Sequence, residues 1–79
     1  MAPTVFKENG FRFFFFFREE ARPHVHVSHP DGEAKFWISP EVNLAMSSGL
    51  SSQQIRAVEK MVQQHLEEIV HAWNKHFPN

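Results

Sequence analysis

The apolar positions along this chain change period once. Up to about residue 38 they follow the two-residue alternation of strands. From residue 55 they recur at three- and four-residue steps, as on one side of a helix. Asn9-Gly10 is a strong hairpin signal, because both residues tolerate positive φ in a tight turn. It pairs Thr4–Glu8 with Phe11–Phe15. Alternation then sends Phe11, Phe13, Phe15 and Phe17 to one face, and Arg12, Phe14, Phe16 and Arg18 to the other. A strand with one wet face alternates apolar and polar residues; this one is apolar on both faces through its middle, which predicts a central strand covered on both sides.

Pro23 has no N–H for a ladder and belongs at a strand start. His29-Pro30-Asp31-Gly32 reads as a turn. Setting Ser28 opposite Glu33 places Val27 against Ala34 and Val25 against Phe36, with His26 against Lys35 and His24 against Trp37 on the other side. A slip by one residue would mix the two faces. Ser39-Pro40-Glu41 turns the chain. Val42-Asn43-Leu44 suits a short edge strand, with a helical turn as the alternative, and Ser47-Ser48-Gly49 suits a loop. Ser51 and Gln54 form a capping box, with Leu50 and Ile55 as a hydrophobic staple. Ile55, Val58, Val62, Leu66, Ile69, Trp73 and Phe77 then make one stripe, and Pro78 ends it. A helix from Ser52 to His76 would be ~37 Å long, against ~17–20 Å for a typical strand, so part of it should overhang the sheet.

The expected fold is a single α+β domain over residues 1–79. Strands at about 3–44 form an antiparallel meander of four or five. One long C-terminal helix, about 52–77, packs across one face. That helix cannot cover both faces of an aromatic sheet. An exposed patch of several phenylalanines is more than a monomer usually leaves open. Either a partner covers it, through Phe14, Phe16, Trp73 and Phe77, or the segment 39–50 folds over it. The partner would be a second copy or a cognate small protein.

Composition narrows the function without naming it. The chain has 79 residues, no cysteine and a net charge of −1. No disulfide or thiolate chemistry is open to it. The charge balance counts against a nonspecific nucleic-acid binder. The N-terminus lacks the pattern of a secretory signal, and the five-residue run Phe13–Phe17 is far short of the ~20 residues that span a membrane. A cytosolic location is expected.

Chemistry centres on His24-x-His26. Two residues apart on a strand, both imidazoles point the same way, with Cα atoms ~6.5–7 Å apart. They could act as general base and general acid, with Arg22 and Lys35 holding a phosphate and Trp37 stacking on an exposed base. They could instead hold a divalent metal with a third ligand from elsewhere, although no companion metal motif is present and no cofactor is expected. The plainer alternative is a pair that packs on Trp37. His65 and His76 fall at the edge of the helical stripe, and His71 on its solvent side. Edge histidines usually border a core.

"APTVF", "GFRFFFF", "RPHVHV", "GEAKFW" and "AWNKHF" follow one another in an order and spacing that resembles the short bacterial proteins grouped as domain of unknown function 4160. The most specific elements are Pro23–Val27 and Gly32–Trp37. The family pattern has a serine where Arg18 stands and often two prolines before the histidines, where this chain has Arg22-Pro23. The resemblance implies that His24 and His26 are the signature pair, and that such proteins sit beside another small protein in an arrangement similar to toxin–antitoxin pairs. The expected role is therefore a component of such a pair, acting through protein–protein contact and on RNA through the His-x-His surface. The alternatives are a non-enzymatic homo-oligomeric or partner-binding module, and a small metal-binding protein using His24 and His26.

Overall fold

The computed structural model describes residues 4–16 and 21–77. Five strands form one antiparallel sheet: β1 (Thr4–Glu8), β2 (Phe11–Phe14), β3 (His24–His29), β4 (Gly32–Trp37) and β5 (Asn43–Ser48). Their order in space is their order in sequence, a meander. Two helices follow, α1 (Ser52–Gln64) and α2 (Leu66–His76). Among the described residues, no helix is long and apolar enough to cross a membrane.

The hairpin signals act as read. Asn9 and Gly10 both take positive φ, 51° and 84°, and bring Glu8 opposite Phe11. The β3–β4 register runs from His24 opposite Trp37 through Val25–Phe36, His26–Lys35 and Val27–Ala34 to Ser28–Glu33. The core follows from this alternation. Phe11, Phe13, Phe15, Val25, Val27, Ala34, Phe36 and Ile38 form one cluster with Val58, Met61, Val62, Ile69 and Trp73 of the helices. Phe15 stays in that cluster although β2 ends at Phe14. Phe17 and Arg18 lie outside the described residues.

Two expectations need correction. The C-terminal helix is not one rod: it breaks at His65, whose φ of −103° and ψ of 17° depart from helical values. The hydrogen bonds His65 N–H to the Met61 carbonyl and Ile69 N–H to the His65 carbonyl persist across the break, so it is a kink rather than an end. The His65 ring stacks on Phe6 of β1, centroids 3.9 Å apart. The ring nitrogens reach Glu8 Oε1 at 2.9 Å and Glu68 Oε1 at 2.8 Å. The kink lies between α1, which packs by β5, and α2, which packs by β1.

The second correction concerns Asn43–Ser48. It is a full six-residue edge strand paired with β4, so Ser47 and Ser48 are not loop. The segment extends the sheet sideways instead of folding over its second face. Gly32 and Gly49 permit this closure. A Cβ on Gly32 would lie 2.1 Å from the Ser48 carbonyl oxygen, and one on Gly49, at φ +83°, would lie 2.4 Å from the Asp31 carbonyl oxygen. The hairpin tip is also tied to the start of α1. Gln54 closes the capping box with Ser51 and donates from Nε2 to Asp31 Oδ2 at 2.9 Å.

His65 makes stability depend on pH. A carboxylate oxygen only accepts, so a ring that bonds both Glu68 and Glu8 must carry both protons. Those two hydrogen bonds and the nearby negative charge raise its pKa above the ordinary 6.5, against a lowering by burial. A raised pKa in the fold gives stability that is complete below about 6.5 and lost as pH climbs through the raised value. The gain is small, about 1 kcal/mol or less, because the side chain is partly exposed. Thermal melts of the protein and of His65→Gln should therefore differ most near pH 6 and converge in mildly alkaline buffer; a gap that stays constant with pH would refute the clamp.

Candidate functional site

The face of the sheet away from the core carries the residues with chemical potential. Register places Arg12 and Phe14 of β2, His24, His26 and Ser28 of β3, and Glu33, Lys35 and Trp37 of β4 on it. Met46 of β5 stands opposite Lys35. The second set of phenylalanines is covered differently from the first. Phe14 is buried yet lies outside the main core cluster. The Arg12 guanidinium sits over its ring at 4.6 Å, the edge of Phe16 meets it at 5.2 Å, and His26 stacks at 5.6 Å. Arg12 is itself held by a bond from Nε to Thr4 Oγ1 of β1.

Trp37 is dressed in the same way. Arg22 lies 4.3 Å and Lys35 4.5 Å from its ring centroid. Arg22 is fixed by donation from Nε to the Ser39 carbonyl at 3.0 Å. Such cation–ring contacts are worth ~0.5–1 kcal/mol each near the surface. They leave the face both cationic and apolar. Between Phe14, Phe16 and His26 on one side and Glu33, Lys35 and Met46 on the other lies a groove of about 240 Å³. Phe16 and Met46 are 45% and 51% exposed at its rim.

The two signature histidines have unlike surroundings. Their rings are neighbours, 5.1 Å apart and nearly perpendicular. His24, however, is completely buried. It opens β3 at the end of the sheet where α2 arrives, and its ring meets Trp73 at 5.1 Å as well as Trp37 at 5.6 Å. Its Nδ1–H donates to the Arg22 carbonyl at 2.7 Å, which fixes a proton on Nδ1. His26 is half-buried between Phe14 and Phe16.

The His24 ring has no accessible surface, so of the two imidazoles only His26 is reachable from solvent in this structure. A metal site needs a larger set of ligands than this pair. No group of three or more His, Asp or Glu that could hold an ion occurs among the described residues. Of the residues expected at an interface, Phe14 and Phe16 do lie on the helix-free face. Trp73 is buried inside the chain, packed on Phe15, His24 and Phe77, and Phe77 is half-buried against it. Their apolar surface is used internally because α2 folds back onto the sheet.

One constellation escaped the sequence reading: the His65 clamp. The pair His65–Glu68, three apart on a helix, is visible in sequence; Glu8, 57 positions away, is not. His76 borders the core and His71 is exposed, as their helical positions implied.

No curated protein and no solved structure matches this chain. A family model described as "Domain of unknown function (DUF4160)" does, over residues 10–74. That match runs from the first hairpin turn through β3 and β4 into α2, and it takes in His24, His26, Trp37 and Trp73; the chain belongs to the DUF4160 family.

Proposed function

We propose that this protein is the small contact member of a two-protein, toxin–antitoxin-like pair, and that it works by docking rather than by catalysis. The helix-free face of the sheet is the docking surface. The observation that carries this reading is the exposed pair Phe16 and Met46 flanking a groove that no helix among the described residues covers. Exposed apolar patches of this kind mark interaction sites. Arginine and tryptophan, present here as Arg12, Arg22 and Trp37, are the side chains most often found at interface hot spots.

The cations specify the occupant. Arg12, Arg22 and Lys35 outnumber Glu33 on this face, so complementarity favours an acidic partner that inserts an apolar side chain between Phe16 and Met46. The burial of His24 supports contact over RNA cleavage, because cleavage of this kind needs two reachable imidazoles.

The test is coexpression with the product of the adjacent gene, followed by co-purification and sizing. The protein should form a stoichiometric complex. Phe16→Glu and Lys35→Glu, both at positions that leave the core untouched, should weaken it tenfold or more while keeping the native circular dichroism. A complex indifferent to both changes would remove this face from the contact. Cleavage of RNA by the isolated chain, lost on His26→Ala, would replace docking with the catalytic reading.

A further inference from the structure

The two edges of the sheet are treated differently. β1 is guarded: it carries Lys7 and Glu8, its pairing is interrupted at Val5, and α2 packs against it with His65 bonded to Glu8. Charges, irregular pairing and covering elements are the usual means by which proteins stop an edge from recruiting another strand. β5 also has a helix beside it, α1, but it lacks the charges. Its sequence, Asn-Leu-Ala-Met-Ser-Ser, contains no charge and no proline, and all six residues are exposed. The one irregularity is at Ala45, where pairing steps from Met46–Lys35 to Leu44–Phe36.

That step has a consequence for the side chains. Met46, opposite Lys35, belongs to the helix-free face; Leu44, opposite Phe36, belongs to the helix side. They are 51% and 43% exposed, among the largest apolar exposures on the described surface. An edge strand with apolar residues on both faces has the character of an interior strand. What it lacks, among the described residues, is a strand neighbour on its outer side.

We infer that β5 pairs with β5 of a second copy of this chain, antiparallel across a twofold axis, so that two sheets become one continuous sheet. A second copy suits this edge better than an unrelated strand because a twofold contact sets a surface against itself, and an uncharged strand meets its own copy without like-charge repulsion. The junction shields Leu44 and Met46 and leaves both grooves on one shared face. Met46 borders both the junction and the groove, whereas Leu44 does not line the groove, so a change at Leu44 tests the junction separately from docking.

The experiment uses the full chain alone. Light scattering and sedimentation up to millimolar concentration should give twice the chain mass. Leu44→Lys should weaken the dimer tenfold or more, because it brings like charges together at the junction. The chain has no cysteine, so Ala45→Cys introduces a single thiol. It should crosslink the dimer under oxidation, while Val70→Cys, an exposed control on α2, should not. A chain that stays monomeric throughout overturns the inference. So does a dimer that Leu44→Lys leaves intact, or one that crosslinks through position 70 and not 45.

Discussion

His24→Ala should unfold much of the protein, and His26→Ala should not. His24 has no accessible surface, its ring is packed against both tryptophans, and its Nδ1–H is bonded to the Arg22 carbonyl. Removing a buried aromatic side chain of this size costs about 3 kcal/mol, and the lost hydrogen bond adds about 1 kcal/mol. A 79-residue domain has roughly 4–12 kcal/mol in total, at 0.05–0.15 kcal/mol per residue. Urea denaturation should therefore show a large drop in midpoint for His24→Ala. His24→Phe, which restores ring volume but not the donor, should recover part of it. His26, half-buried on the sheet surface, should cost about 1 kcal/mol. Equal losses at the two positions would contradict the division between a structural and a surface histidine. A phenotype seen only in His24→Ala therefore reports folding, whereas His26 is the position that reports function.

The phenylalanine run should divide in the same way. Phe13 is fully buried, stacked on Phe6 with centroids 4.2 Å apart, and lies at the centre of the helix-covered face. Phe13→Ala should cost about 3–5 kcal/mol, enough to leave a marginal domain largely unfolded. Phe16 is 45% exposed and meets only Phe14 and His26 edge-on among the described aromatic rings, and Phe16→Ser should cost about 1 kcal/mol, well below Phe13→Ala. The pair of denaturation curves checks this directly. A Phe16→Ser as costly as Phe13→Ala would mean that Phe16 belongs to the core and is not a contact residue.

The hairpins were legible because local rules suffice there. Asn9-Gly10 sets one turn, and the alternation from His24 to Ile38 admits only one register that keeps the valines together. The helix start was legible from Ser51 and Gln54. Its break was not. The segment around His65 has no glycine or proline, and the ring at the kink meets Phe6 and Glu8, which no local pattern connects to it. β5 was half legible: serine and glycine at 47–49 read as loop, and only pairing with β4 makes Ser47 and Ser48 a strand. The burial of His24 was hidden for a similar reason. Spacing put both imidazoles on one face, but the arrival of Trp73 from α2 seals one of them. The covering of Phe14 by Arg12, two residues away on the same strand, could have been read from the Arg-x-Phe spacing.

The two tryptophans allow the contact surface to be watched directly. Trp37 is half-buried beneath Arg22 and Lys35 on the helix-free face, and Trp73 is in the core. In nitrogen-15 spectra of the full chain titrated with the adjacent gene's product, the Trp37 indole resonance should shift or broaden while that of Trp73 holds its position. A Trp37 signal unmoved at saturation, with the changes falling instead on the outer sides of α1 and α2, would contradict the assignment of the helix-free face as the docking surface.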